Sequence, residues 1–171
     1  MTELIDALRI EPISKLHNRK NFKCNNKSLT QYLHRYARQN DANNIAKTFV
    51  AVDDENMVLG YYSLSTSSIE FEDLPEELAK RLPHYPIPAA LIAKLAVDSN
   101  IDGQGLGSRL LIEALQNILS VSEAMAIKVV LVDAIDKEAK GYYLHFGFIE
   151  LPGKDLKLFL PIETIIQLLA R

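Results

Sequence analysis

The stretch IDGQGLGSRLLIEAL, residues 101–115, places glycine at positions 103, 105 and 107, directly before a run of helical periodicity. Apolar residues then recur at intervals of three and four, which predicts a helix over Gly107–Val121 with one buried face. The first amides of such a helix lack intrahelical partners, and the helix dipole is positive there. Glycines also let the backbone approach an anion closely, because they carry no Cβ. The stretch therefore predicts an anion-binding loop.

The spacing of the glycines excludes two common phosphate-binding loops. The Walker pattern needs Gly-Lys and then Ser or Thr after four spacer residues, and it is absent. The dinucleotide fingerprint G-x-G-x-x-G fails too, because Ser108 or Leu110 stands where its last glycine is required. A glycine-rich turn without a ligand is the alternative. Three alternating glycines exceed what a turn needs, so the anion-binding interpretation is favoured.

Strand-like segments lie on both sides of this loop. The segment directly before it, Leu91–Asp98, is almost continuously apolar, as expected of a buried strand. Thr48–Asp53 and Val58–Ile69 flank a short polar turn and predict a hairpin. Further strands are expected at Leu8–Ile13, Ile127–Ala134, Phe148–Leu151 and Leu156–Pro161.

Helix-like segments alternate with the strands. Ser28–Gln39 carries apolar residues on one face, and Ser28 and Gln31 stand at the positions of a capping box. Hairpins and crossovers together predict an α+β fold around a mixed sheet. The other predicted helices are Pro75–Leu82 within a proline-rich insert (Leu74–Pro88), Lys137–Phe146, and Ile162 to the end of the chain.

Composition narrows the class of protein. Of 171 residues, 48% are hydrophobic and 24% charged, which predicts a single globular domain over residues 1–171. No apolar run reaches membrane-spanning length and Met1–Ile10 carries acids, so we expect a cytoplasmic protein without membrane contact. Cys24 is the one cysteine and the four histidines lack metal-ligand spacing, so no metal is expected.

The charge of the chain is unevenly distributed. The net charge is −3, yet Ser14–Thr48 holds eight Lys or Arg residues and one acid, which leaves that window at +7 and the rest at −10. Such a basic sector is a candidate surface for a polyanion. The alternative is a solvated face without a partner.

The glycine loop resembles the pyrophosphate-binding motif of the GNAT superfamily of acetyl-CoA-dependent N-acetyltransferases, Gln/Arg-x-x-Gly-x-Gly/Ala. Gly105 and Gly107 match the motif glycines, whereas Asp102 departs from the leading Gln or Arg. The resemblance implies the GNAT fold, which has a mixed, mostly antiparallel central sheet with a splayed strand pair, flanked by helices. An acid beside a pyrophosphate is unfavourable unless it points away.

A more specific resemblance covers nearly the whole chain. LIAKLAVDSNIDGQGLGSRLL, VLVDAIDKEAKGYYLHFGF and LKLFLPI are similar, in this order, to the tRNA-acetylating toxins of bacterial toxin–antitoxin pairs. NFKCNNKSLTQYLHRYARQN resembles the same branch, although Asn25 stands where glycine is expected. The resemblance implies acetyl transfer to the α-amine of aminoacyl-tRNA, a ribbon-helix-helix antitoxin as partner, and a homodimer.

The resemblance also implies roles for individual residues. Leu95, Ala96 and Val97 would bind the pantetheine arm through their backbone. Tyr143 would act as the general acid that protonates the departing thiolate, since a phenol with pKa near 10 can donate to a thiolate whose thiol has pKa near 8.5. Core packing is the alternative for both Tyr142 and Tyr143. The loop residues that would bind the pyrophosphate are Gly103, Gln104, Gly105, Leu106, Gly107 and Ser108.

The acceptor amine requires little help from a protein base. An α-amine has a pKa near 8, and an ester beside it lowers that pKa further. Glu70, His84 and Asp98 are candidates for assisting the removal of its proton.

Two alternative functions are compatible with this fold. One is acetylation of a small amine or a protein N-terminus, and the other is that of a non-catalytic interaction module. The residues implied in RNA contact are Arg35, Arg38, Lys94, Lys137 and Lys140.

Overall fold

The computed structural model describes the backbone of residues 2–170 and the side chains of residues 4–170. The chain divides into two compact units. The first comprises the chain up to Ser65 together with Ala93–Ala114, and the second comprises Thr66–Ile92 and the chain from Leu115 onward. Within residues 2–170, no helix is both long and apolar enough to cross a membrane.

The described residues form one mixed sheet, in the order β1-β2-β3-β4-β5-β7-β6. Antiparallel pairs join β1 to β2, β2 to β3, β5 to β7 and β6 to β7, whereas β4 and β5 run parallel. This arrangement confirms the predicted mixed, mostly antiparallel sheet. The strands are β1 (Arg9–Pro12), β2 (Lys47–Val52), β3 (Val58–Ile69), β4 (Ile87–Val97), β5 (Val129–Asp133), β6 (Ile149–Glu150) and β7 (Lys157–Pro161).

The parallel pair is short. Its register runs from Ala89 opposite Val129 to Ile92 opposite Val132, and β4 continues five residues further, to Val97. Beyond the last pair, β4 has no partner from β5 for its backbone N–H and C=O groups on that side. The hydrogen-bonded part of the parallel pair therefore comprises four residues of each strand.

The helices flank the sheet. Helix α6 has the bounds that the sequence predicts, whereas α1 has no counterpart among the predicted elements. Two short 3₁₀ turns, Phe71–Asp73 and Ser99–Ile101, precede the loops that follow β3 and β4. The helices are α1 (Thr2–Ala7), α2 (Lys27–Gln31), α3 (Ala37–Ala42), α4 (Glu76–Ala79), α5 (Leu106–Ser122), α6 (Lys137–Phe146) and α7 (Ile162–Leu169).

The predicted capping box of the first long helix is wrong. Asn26 caps α2 instead, because its backbone is extended (φ −111°, ψ 116°) and its Oδ1 accepts a hydrogen bond from the Leu29 amide at 3.0 Å. Ser28 already lies inside the helix. A π-helical turn over Tyr32–Tyr36 then joins α2 to α3, and it leaves Tyr36 50% exposed although the helical pattern places this residue on the buried face.

The core of the first unit is built around Tyr61. Its ring lies edge-on to Phe22 at a centroid distance of 5.7 Å, and its hydroxyl donates to the Leu29 carbonyl at 2.6 Å. Burial raises the pKa of this phenol well above its ordinary value. Each large apolar side chain buried here contributes about 1.5–3 kcal/mol. The cluster comprises Phe22, Leu29, Leu33, Ala37, Val50, Val52, Val58, Tyr61 and Ala96.

The second unit has its own core, formed where β4, β5 and β7 meet the segment after β3. The proline-rich insert ends earlier than predicted, because Ile87 and Pro88 already belong to β4. Ile87 is buried and Pro88 is exposed, as the alternation of a strand requires. The core residues are Ile69, Leu74, Ile87, Ala89, Val129, Leu151 and Phe159.

Candidate active site

The glycine loop of the first unit is anchored by the turn that precedes it. Asp98 is buried, and its carboxylate accepts hydrogen bonds from the amides of Asn100 (2.9 Å) and Lys23 (3.2 Å). The Ser99 amide donates to the Lys23 carbonyl at 2.8 Å, and its hydroxyl donates to Asn25 Oδ1 at 3.2 Å. The asparagine that replaces an expected glycine therefore helps to hold the loop, and Asp98 has a structural role.

The loop itself has the conformation that the glycines allow. Gly103 and Gly105 adopt φ values of +77° and +96°, in the left-handed region that disfavours any side chain. An ideal Cβ at either residue would meet no atom within 4 Å. Helix α5 begins at Leu106, so its first amides lie next to this open space. Open space and the first amides of a helix therefore lie side by side, as the predicted anion-binding loop requires.

Asp102 lies at the entrance of the loop. Its carboxylate accepts a hydrogen bond from the Gly103 amide at 3.0 Å and is exposed to solvent. The acid therefore engages an amide that the predicted ligand would use, instead of pointing away from the loop.

Gln104 places a buried polar atom in the loop. Its Oε1 is buried, and among residues 4–170 no group donates a hydrogen bond to it. Leaving such an atom unpaired costs about 1–3 kcal/mol. A ligand that carries N–H or O–H donors as well as phosphates, as coenzyme A does, fits both this oxygen and the neighbouring amides.

The strand before the loop packs closely on α5. Ala96 is buried, while Leu95 and Val97 are partly exposed. At Gly60 on β3, an ideal Cβ would lie 2.9 Å from Leu110 Cδ1 and 3.2 Å from the Ala96 carbonyl oxygen. Glycine is therefore required at position 60 for β3, β4 and α5 to approach, a requirement that the isolated residue in the sequence does not reveal.

In the second unit, Tyr143 is the one buried residue of helix α6. Its ring packs edge-on against Phe148 at 5.5 Å and against Tyr142 at 5.6 Å. Among the described side chains, residues 4–170, no group forms a hydrogen bond with its hydroxyl. Burial, with a smaller contribution from Tyr142, raises the pKa of Tyr143. The phenol therefore keeps its proton and can donate it to a ligand.

The five predicted RNA contacts differ in their surroundings. Arg35 is exposed and Arg38 is partly exposed. Lys94 Nζ lies 5.2 Å from the centroid of the Tyr32 ring, and it pairs with no carboxylate of residues 4–170. Lys137 is exposed on the first turn of α6. Lys140 differs from the others, because two carboxylates hold its ammonium group and its side chain is only 14% exposed.

The remaining candidate helpers lie on the segment that follows β3. Glu70 and His84 are exposed, and the His84 ring stacks on Phe71 with a centroid distance of 4.1 Å. Among the described residues, no group of three or more His, Cys, Asp or Glu side chains is placed to hold a metal ion.

Comparison with known proteins identifies the family to which this chain belongs. The acetyltransferase (GNAT) domain family matches residues 44–150. The chain therefore belongs to the GNAT family and is an N-acetyltransferase, which confirms the fold and the activity that the glycine loop implied. The more specific resemblance to the tRNA-acetylating toxins is confirmed by two curated relatives.

Both relatives are 34% identical to this chain. One is a probable toxin TacT from Sinorhizobium fredii (strain NBRC 101917 / NGR234), aligned over 170 residues that cover 94% of each protein. The other is the tRNA-acetylating toxin of Mycobacterium tuberculosis (strain ATCC 25618 / H37Rv), aligned over 133 residues that cover 78% of this chain and 79% of the relative.

Solved structures with the same fold include three complexes. AtaT with acetyl-methionyl-tRNAfMet has a TM-score of 0.89 at 30% identity and covers 96% of this chain and 99% of its own. AtaTR bound with AcCoA has a TM-score of 0.85 at 30% identity, with the same coverage. A tyrosine-to-phenylalanine mutant of AtaT bound to the C-terminus of the antitoxin AtaR has a TM-score of 0.84 at 27% identity and covers 97% and 100%.

Proposed function

We propose that this chain transfers the acetyl group of acetyl-CoA to the α-amine of the amino acid on charged tRNA, and so blocks translation as the toxin of a toxin–antitoxin pair. The observation that carries this proposal is the likeness to tRNA-acetylating toxins over nearly the whole length of the chain. The unpaired side-chain oxygen of Gln104 in the glycine loop and the buried phenol of Tyr143 support it.

In this proposal the glycine loop binds the pyrophosphate of acetyl-CoA. The amides from Gly103 to Ser108 donate to the phosphate oxygens, and the positive end of α5 stabilises their charge. The backbone of Leu95, Ala96 and Val97 binds the pantetheine arm through the groups that the parallel register leaves unused. The Gln104 side chain offers its free carbonyl to a donor on the cofactor.

Tyr143 supplies the proton that the reaction needs. The amine attacks the thioester carbon, the carbon–sulfur bond breaks, and the phenol protonates the departing thiolate. Burial raises the pKa of Tyr143, so the phenol carries its proton at neutral pH, which is the form that a general acid requires. The α-amine of an ester is largely neutral near pH 7–8, and its attack does not depend on a protein base.

The basic sector of the first unit is the proposed RNA surface. Of the eight cations in Ser14–Thr48, Lys47 pairs with Asp41 at 3.5 Å, and the other seven pair with no carboxylate whose side chain is described, that is, within residues 4–170. Burial and the charge of Arg38 lower the pKa of Arg19, so an anion bound there would relieve repulsion. A pocket of ≈ 520 Å³ opens among these cations and is lined by Lys15, His17, Asn18, Arg19, Lys20 and His34.

The proposal includes the partners and the setting of the reaction. We place the enzyme in the cytoplasm, where charged tRNA is used, and assign residues 1–171 to a single domain. A ribbon-helix-helix antitoxin neutralises it, and two copies form a homodimer.

Acetylation of total charged tRNA with labelled acetyl-CoA tests this function. Nuclease digestion and mass spectrometry should find N-acetyl-aminoacyl-adenosine, while deacylated tRNA remains unlabelled. The KM for tRNA should rise more than about ten-fold between 50 and 200 mM salt, since phosphate contacts release counterions. Acetylation of polyamines or peptides with charged tRNA untouched would refute the proposal, and absence of acetyl-CoA binding would indicate a non-catalytic module.

Replacing Asp102 with glutamine should lower the Kd for acetyl-CoA by about five-fold, which corresponds to about 1 kcal/mol for one like-charge contact near the surface. The substitution removes a negative charge beside the diphosphate and releases the Gly103 amide. Isothermal titration calorimetry at low salt measures the change. Glu55→Gln, in the exposed turn after β2, is the matched control; an unchanged or weaker affinity of the Asp102 variant would place the diphosphate elsewhere.

A further inference from the structure

Lys140 lies on α6 and bridges two acids that follow it in the chain. Its Nζ is 2.9 Å from Glu150 Oε1, on β6, and 2.8 Å from Asp155 Oδ1, in the turn before β7. Hydrogen bonds to Asp155 and Glu150 raise the pKa of Lys140, and Lys140 in turn lowers the pKa of Asp155. We refer to these residues as the Lys140 clamp.

The clamp compensates for the weak packing of α6. Tyr143 is the one side chain that this ten-residue helix buries, so apolar contacts alone give its orientation little support. The helix is fixed at its ends, since Asp136 Oδ1 accepts from the Ala139 amide at 2.8 Å and Gly147 ends the helix with φ +107°. The clamp adds an anchor between these two ends.

Tyr143 contacts the segment that joins α6 to β6. It follows Lys140 by three residues, so both side chains project from neighbouring parts of one helix face. Its carbonyl accepts from the Phe148 amide at 3.1 Å, and its ring packs on Phe148. A rotation or shift of α6 relative to β6 would therefore move the phenol.

We propose that Lys140 is a positioning residue, which holds the Tyr143 hydroxyl in place by tying α6 to Glu150 and Asp155. This inference rests on the proposed role of Tyr143. It also removes Lys140 from the RNA surface, because a lysine flanked by two carboxylates belongs to a group of net charge −1 and offers no cation to a phosphate.

The test is a comparison of Lys140→Met with Lys140→Arg. Methionine keeps the apolar stem and removes the charge, so we expect kcat to fall about ten- to thirty-fold while the KM values for acetyl-CoA and charged tRNA stay within about two-fold. Arginine can still bridge both acids and should restore kcat to within about three-fold of wild type. Lys154→Met is the matched control, because Lys154 pairs with no acid among the described side chains, residues 4–170.

A second readout does not depend on the acceptor. In hydrogen–deuterium exchange of the free protein, amides of residues 137–148 should exchange at least about ten-fold faster in Lys140→Met than in wild type or Lys154→Met. Wild-type protein that fails to acetylate charged tRNA would refute the proposed function and leave this readout intact. Should Lys140→Met fail to fold, Glu150→Gln and Asp155→Asn remove the partners one at a time and should each lower kcat.

Three results would overturn the inference. The first is unchanged kcat and unchanged exchange in Lys140→Met. The second is a higher KM and a weaker salt dependence for tRNA at constant kcat, which would make Lys140 an RNA contact. The third is failure of arginine to restore activity to a stable protein.

Discussion

Replacement of Tyr143 by phenylalanine should lower kcat for acetyl transfer to charged tRNA by a factor of about 10² to 10⁴, the range for loss of a general acid. The variant retains the ring that packs on Phe148 and Tyr142, so its stability should stay close to that of wild type. The KM for acetyl-CoA should change little, because the glycine loop is untouched. Initial rates at saturating acetyl-CoA measure the effect.

Tyr142→Phe is the control for this experiment. The two tyrosines are adjacent, yet Tyr142 is partly exposed and Tyr143 is buried. Tyr142→Phe should keep kcat within about five-fold of wild type, well short of the loss of a general acid. Equal losses in both variants would assign the phenols to packing, and a fully active Tyr143→Phe would refute the proposed chemistry.

Replacement of Gly105 by alanine should weaken acetyl-CoA binding by about thirty-fold, equivalent to about 2 kcal/mol. At φ +96° a Cβ strains the backbone by about 1–2 kcal/mol, and it projects into the space where no protein atom lies within 4 Å. Binding therefore suffers both from the altered direction of the amides and from contact with the diphosphate. Calorimetric titration with acetyl-CoA measures the loss.

Gly153→Ala is the control that separates backbone strain from the loss of acetyl-CoA binding. Gly153 has φ +73° and an equally open Cβ position, but it lies in the turn between β6 and β7. Its alanine variant should lose a similar free energy of unfolding while its Kd for acetyl-CoA stays unchanged. If both variants bind acetyl-CoA as wild type does, the loop does not hold the cofactor.

The sequence predicts best the elements whose ends carry strong local signals. Helix α6 is predicted with correct bounds, because the N-cap residue Asp136 precedes it and Gly147, in the left-handed conformation, follows it. The start of α2 is mispredicted because Asn26 and Ser28 are both good caps, and backbone dihedrals decide between them. The π-helical turn over Tyr32–Tyr36 leaves no recognisable pattern in the sequence.

The sequence does not reveal which individual side chains contact one another. From the sequence, Lys140 is expected to be an exposed cation on a short helix, because no pattern predicts its contact with Glu150 and Asp155, ten and fifteen residues later. The same limit applies to Asp102, whose departure from the motif is visible while its bond to the next amide is not. The glycine positions, in contrast, are predictable because their backbone requirement is local.

The contact between Asp102 and Gly103 has a consequence for the catalytic cycle. In the proposed cycle, an oxygen of the chain itself can take the place of a phosphate oxygen on the first amide of the loop when coenzyme A departs. The turn would then keep its shape, and binding of the next acetyl-CoA would exchange one acceptor for another. Rebinding would therefore need no slow reordering of the backbone.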